Sequence, residues 1–136
     1  MVAQETFNCS IVTPEKLAAE VEVMQVVLPA HDGQIGILTG HAPLLCTLGT
    51  GLLRYQDLAG KVHYYFVDGG FGHVANNRVS ILTEQAISAS QISEDQARGE
   101  LEAAQALPQN TTDELNARAK ALQRAWSLMA LAQHND

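Results

Sequence analysis

The residues of this chain best able to hold a metal or act as a nucleophile are five histidines, at positions 31, 41, 63, 73 and 134, and two cysteines, Cys9 and Cys46. Their spacing argues against both uses. No two histidines form an HxH or HxxxH pair, and none has a cysteine at ligand spacing, whereas metal sites normally draw on such local pairs. The cysteines stand far apart and read as reduced, partly buried thiols rather than as a disulfide. His41, in "TGHAPLL", falls between a bend glycine and the extended residue that precedes proline, which suits a histidine hydrogen-bonding across a turn. No G-x-S-x-G elbow and no local cysteine-nucleophile signature is present. "GFGHVA" at 70–75 satisfies G-x-G-x-x-A, but a dinucleotide fingerprint needs a following helix, and here "NNRVSIL" gives a turn and another strand. No Walker A sequence occurs. No catalytic residue and no metal ligand is therefore expected, and the residues point to an interaction or regulatory protein.

The bulk composition narrows the class further. A chain of 136 residues, 46% hydrophobic, holds one ordinary core, or one core with a small appendage. No apolar run approaches the roughly 20 residues that span a bilayer. The start, "MVAQETFNCS", has neither signal-peptide nor Arg-rich transit character, so the chain reads as soluble and cytoplasmic. A formal net charge of −7 excludes the basic face that nucleic acid normally requires and disfavours direct contact with anionic lipid.

Two different patterns divide the chain. As far as about Ala86, "FNCSIV", "VEVMQVVL", "GLLRYQ", "KVHYYFV" and "RVSIL" read as short strands, punctuated by "HDG", "GTG", "LAGK", "DGG" and "ANNR". In "KVHYYFV", Val62, Tyr64 and Phe66 share one face and His63, Tyr65 and Val67 the other, so both faces should be covered. Asn76-Asn77 suits a tight hairpin, and Gly33, Gly36 and Gly40 should mark turns and bends. The fold class expected is an N-terminal antiparallel β-sandwich or barrel followed by a C-terminal antiparallel two-helix hairpin, with the sandwich over 1–87 and the hairpin over 88–136.

The helical half opens on Ser93-Glu94-Asp95-Gln96, which reads as a capping box, and its helix should run to about Leu107 and stop at Pro108. A second box is expected at Thr111 to Glu114. Leu115, Ala119, Leu122, Trp126 and Met129 then recur at steps of four and three, and Trp126 and Met129 are read as hairpin core. Ala97, Ala104 and Ala119 bury little area each at about 25 cal/mol per Å². Such a hairpin packs closely but weakly and can detach.

"DGQIGILTGHAPLL", "FVDGGFGHVANNRVSIL" and "SEDQARGELEAAQ", in that order, resemble the epsilon subunit of the F-type ATP synthase over nearly the whole chain. The most specific signals are the G-x-I/L-G-x-x-x-G-H-A-P core at 33–43 and the double glycine Gly69-Gly70. The resemblance implies a β-sandwich of about ten strands at the foot of the central stalk, bound to gamma and to the polar loops of the c-ring. It implies a non-catalytic rotor subunit that couples ion flow to ATP synthesis. The hairpin would inhibit ATP hydrolysis by extending beside gamma. The location implied is peripheral, on the cytoplasmic face of a bacterial plasma membrane, with a plastid thylakoid as the other possibility.

The resemblance also implies sites. The turn facing the c-ring maps to His31, Asp32, Gly33 and Gln34, with His41 and Pro43 shaping the loop near the rotor interface. Many relatives carry Glu where this chain has Gln34, which removes a charge-based contact. Basic residues of the second helix that meet acidic catalytic beta subunits map to Arg118, Lys120 and Arg124; a solvated helix face is the other reading. The nucleotide-binding I/L-D-x-x-R-A segment of some relatives is degenerate here: Ile92 and Ala97 are kept, but Ser93 replaces the acid and Gln96 the arginine. Without the guanidinium, weak or absent ATP binding is expected, and no cofactor. The alternative, a free-standing β-sandwich that senses a ligand under a helical lid, would not copurify with gamma and an ATPase core. A small β-fold enzyme ranks last.

Overall fold

In the computed structural model, residues 5–134 are described, so the first four residues of the expected sandwich segment and the last two of the hairpin segment lie outside them. The strands are β1 (Phe7–Val12), β2 (Leu17–Ala30), β3 (Gly33–Leu38), β4 (Leu44–Thr47), β5 (Thr50–Asp57), β6 (Val62–Asp68), β7 (Phe71–Ala75), β8 (Arg78–Leu82) and β9 (Ala86–Ser88). A single 3-10 turn (Ala89–Gln91) leads into α1 (Glu94–Gln105) and α2 (Thr112–Gln133).

The described strands number nine rather than about ten, because β2 serves both layers as one long strand. Its first half pairs with β1, its second half with β3 and β5, and its register breaks between Val23 and Gln25. One layer thus holds β4, β7, β8, β1 and the start of β2. The other holds β3, the end of β2, β5, β6 and β9. One pairing departs from the antiparallel expectation: β1 runs parallel to β8, since the first strand is laid beside the last hairpin of its layer.

Between the layers lies a core drawn from both, with Phe7, Cys9, Ile11, Val74, Val79 and Ile81 facing Val26, Leu28, Ile37, Leu53 and Val67. Strict alternation in β1, β7 and β8 explains why these residues face inward. Asn76 and Asn77 both take left-handed φ, 54° and 58°, and close the β7–β8 hairpin as their type allows. Gly33 and Gly40 likewise carry positive φ. Gly36 does not mark a bend: it pairs with Val27 inside β3, with open space above it.

The second core joins the outer face of the β5–β6 layer to the helices. Phe66 meets Ile92, Ala97, Leu128, Leu131 and Ala132, with Leu52, Tyr64 and Ile87 alongside. Both faces of β6 are therefore covered, one by the first core and one by the hairpin. The two helices close on each other through Leu101, Ala104 and Ala125.

Each helix starts as its cap dictates. Ser93 Oγ accepts from the Gln96 amide at 3.1 Å while Gln96 Oε1 accepts from the Ser93 amide at 3.0 Å, a complete capping box. At the second start Thr111 Oγ1 accepts from the Glu114 amide at 3.1 Å, but the reciprocal bond is not formed. α1 ends at Gln105, two residues before the expected Leu107, because the residue preceding Pro108 is pushed out of the helical region.

The expected α2 stripe is displaced. Ala125, Leu128, Leu131 and Ala132 are buried, whereas Leu115, Ala119 and Trp126 are exposed, Trp126 by 56%. α2 must meet both α1 and the sheet, which widens and rotates its buried face by about 100°. Close contact selects alanine there and leaves the large indole outside. Met129 remains half-buried, as expected of hairpin core.

Candidate functional site

His31 and Asp32 form the two-residue loop of the β2–β3 hairpin, between the paired Ala30 and Gly33. Gly33, at φ 139°, supplies the backbone conformation that a side chain would resist. The loop is braced from the end of β4 and the link that follows it: the His31 amide donates to the Thr47 carbonyl at 2.9 Å and the Gly49 amide to the Pro29 carbonyl at 2.8 Å. The side chains of His31, Asp32 and Gln34 are exposed. The result is a fixed tip presenting polar groups.

His41 and Pro43 are not part of that tip. They lie beyond the far end of the six-residue β3, about 17 Å of strand away. His41 Nδ1 sits 2.7 Å from the Ala42 carbonyl, to which it donates, and the Gly40 amide donates to Asn77 Oδ1 at 3.0 Å. The His41 loop is thereby tied to the β7–β8 hairpin. The expected contact residues form two separate places at opposite ends of one strand.

An exposed apolar face joins β4, β7 and β8, and the sequence reading did not single it out. Leu45 (68% exposed) stands opposite His73, and Phe71 (53%) opposite Leu82 (51%). All four project outward, on the side away from Val74, Val79 and Ile81. Val12, Pro14, Phe71 and Leu82 line a shallow depression of about 310 Å³ beside them. The signal was present in "FGHVA" and "RVSIL": once Val74, Val79 and Ile81 are assigned inward, the period of two sends Phe71 and Leu82 out.

The hairpin residues fare differently. Ser93 and Gln96 are spent on each other in the capping box, and Ala97 is packed against Phe66. Arg118 lies over the end of α1, with a guanidinium nitrogen 3.5 Å from the Gln105 carbonyl, as cations favour at helix C-termini. Arg124 Nε donates to Glu100 Oε2 at 3.3 Å, and its guanidinium stands 3.5 Å from Asp68 Oδ2. Lys120 is exposed.

Burial and hydrogen bonding perturb several groups of the sandwich. Burial pushes the Cys9 thiol and the Tyr55 phenol each up to about 12. Asp57 Oδ2 lies 2.8 Å from His63 Nε2; that hydrogen bond, followed by the Lys61 and Ala59 amides, holds its carboxyl below the usual range. The Tyr55 ring stacks on His63 with centroids 4.9 Å apart. This is a turn-locking pair. Among the described residues no cluster of His, Cys, Asp and Glu could hold a metal, and no helix is long and apolar enough to cross a membrane.

A β-sandwich with an apolar outer face, a braced polar tip and a docked helical hairpin defines a subunit built for assembly. Residues 6–89 match the family described as "ATP synthase, Delta/Epsilon chain, beta-sandwich domain". The "ATP synthase epsilon chain" of Rhodopirellula baltica is 37% identical, over 88% of this chain and 93% of its own length. That of Nitratidesulfovibrio vulgaris is 40% identical, over 93% and 95%. A chain in the cryo-EM structure of the Euglena gracilis mitochondrial ATP synthase, OSCP/F1/c-ring, shares the fold with a TM-score of 0.83 at 24% identity, over 95% of this chain and 82% of that one. This chain belongs to the ATP synthase epsilon-chain family. The free-standing sensor falls away, because the likeness to epsilon chains runs through the hairpin as well as the sandwich.

Proposed function

We propose that this chain is a non-catalytic rotor subunit at the foot of an F-type ATP synthase, coupling ion-driven rotation of the c-ring to ATP synthesis. The 1–87 sandwich grips and the 88–136 hairpin regulates. The complex places it at the membrane surface, on the cytoplasmic face in a bacterium. The observation that carries the reading is the outward apolar face of Leu45, Phe71 and Leu82 on a chain whose family assembles into this enzyme. A face that apolar on a small sandwich favours a permanent partner, and gamma is the partner assigned to it.

The braced tip of His31, Asp32, Gly33 and Gln34 is directed to the polar loops of the c-ring, with Asp32 providing the charge that Gln34 lacks. His41 and Pro43, beside the β7–β8 hairpin, belong with the gamma-facing surface. In the undocked hairpin Arg118, Lys120 and Arg124 meet the acidic surface of the catalytic beta subunits and hinder hydrolysis. ATP binding over 92–97 is weak or absent, since Ser93 and Gln96 already satisfy each other.

Phe71→Asp tests the assignment. Its side chain is exposed, so the isolated sandwich should keep its stability within about 0.5 kcal/mol. Reconstitution with an epsilon-depleted synthase should fail to retain the variant and should lose coupled ATP synthesis. A Phe71→Asp chain that copurifies with gamma as the parent does would overturn the gamma assignment.

A further inference from the structure

The hairpin rests on the sandwich through an apolar contact, a stack of the Tyr64 and His134 rings with centroids 3.7 Å apart, and one polar cluster. Apart from Leu128 and Leu131, the buried hairpin residues against Phe66 are Ile92 and two alanines. Beside that contact sits Arg124, whose guanidinium reaches two other elements, α1 and β6. It pairs with Glu100 of α1 at 3.3 Å and Asp68 of β6 at 3.5 Å, and its Cζ lies 5.0 Å from the centroid of the buried Phe66 ring. Among the described residues, Arg124–Asp68 is the one ion pair between the hairpin and the sandwich.

Asp68 is prepared for that role. Its Oδ1 accepts from Thr50 Oγ1 at 2.8 Å, and its amide donates to Thr83 Oγ1 at 3.0 Å, Thr83 being a buried polar residue. The carboxylate is thereby held with Oδ2 turned to Arg124. Next along α2, Gln123 Nε2 donates to the Thr50 carbonyl at 3.1 Å. Thr50, Asp68, Gln123, Arg124 and Glu100 thus form one connected polar group around the edge of the apolar contact.

We infer that Asp68, Arg124 and Glu100 form a releasable clasp that sets how firmly the hairpin stays docked. The Arg124 side chain is 28% exposed and that of Asp68 40%, and such a pair is open to salt and to competing carboxylates in a way that a leucine contact is not. Its regulatory meaning rests on the brake proposed above: Arg124 cannot hold the clasp and an acidic beta-subunit surface at once. The clasp itself is a property of the isolated chain.

Amide hydrogen exchange on the full chain tests it, comparing the parent with Arg124→Gln, Asp68→Asn, Glu100→Gln and the Asp68→Asn/Arg124→Gln double variant. The single variants at 68 and 124 should speed exchange in α1 and α2 about threefold to fivefold, leaving the amides of β1, β7 and β8 unchanged. The double variant should add little beyond either single change. Raising salt to about 1 M should bring the parent towards the variants and barely alter them. Unchanged helix exchange in Arg124→Gln, or fully additive effects in the double variant, would overturn the clasp. Should Asp68→Asn disturb the sandwich strands, Arg124→Gln breaks the same pair from the helix side. Faster exchange in Asp68→Asn, which keeps Arg124, with unchanged hydrolysis in the reconstituted synthase keeps the clasp and rejects the brake. Unchanged exchange, with hydrolysis raised by removing the hairpin, rejects the clasp and keeps the brake.

Discussion

Gly69 and Gly70 adjoin in the chain and both take positive φ, 70° and 103°, yet they answer to different constraints. A Cβ on Gly69 would meet open space, whereas one on Gly70 would collide with the carbonyl oxygen and carbon of Leu82 and with the Thr83 Cα. Gly69→Ala should cost about 1–2 kcal/mol, the strain of a left-handed backbone alone. Gly70→Ala adds a backbone collision that only separation of β7 from β8 relieves, so a loss of about 3 kcal/mol or more is expected. Urea melts of the two variants check the contrast, and equal midpoints would refute it. The double glycine was visible in "FVDGGFG" as one of the signals of the family resemblance. Which glycine is touched depends on Leu82, which sequence spacing does not place.

The β5–β6 connection shows how an element sets a pH response. Asp57 Oδ1 accepts from the Ala59 and Lys61 amides, both at 2.9 Å, and Oδ2 faces His63 at 2.8 Å. Its folded pKa is depressed, chiefly by the His63 bond. The stabilisation is therefore fully present above the ordinary carboxylate value of about 4 and is lost as pH falls through the lower folded value. Exchange of the Ala59 and Lys61 amides should accelerate over that acidic window, and Asp57→Asn should remove the step. A step that persists in Asp57→Asn would sink the assignment. The helices teach the complementary lesson. Ser93-Glu94-Asp95-Gln96 gave the start of α1 correctly, because a capping box is closed by residues three apart. Trp126 was misplaced, because its periodicity fits an apolar stripe, and only the joint demands of α1 and the β5–β6 face decide which stripe is buried.

At the scale of the molecule, the two cores are separable. The first closes within the sandwich, from Phe7 to Val67 and Ile81, while the second exists only where Phe66 and its neighbours meet the helices. A chain ending at Ala89 should keep the strand signal in circular dichroism and still unfold cooperatively, with Phe66, Leu52 and Ile87 newly exposed. Reconstituted into an epsilon-depleted synthase, it should assemble, support coupled synthesis and raise ATP hydrolysis. Loss of assembly would refute the division of labour, and unchanged hydrolysis would refute the brake.

The amino-acid order alone carried what short-range chemistry controls: strands punctuated by turn residues, the Asn76-Asn77 hairpin, the capped helix start and the ordered motifs of the epsilon family. Tertiary structure decided which surfaces are left over. It parted His31 from His41 along β3, turned Leu45, Phe71 and Leu82 outward, and brought Arg124 to Asp68 and Glu100. Those outcomes depend on how distant elements stack. A side chain's local pattern fixes its direction relative to its own strand or helix, and only packing fixes what lies in that direction.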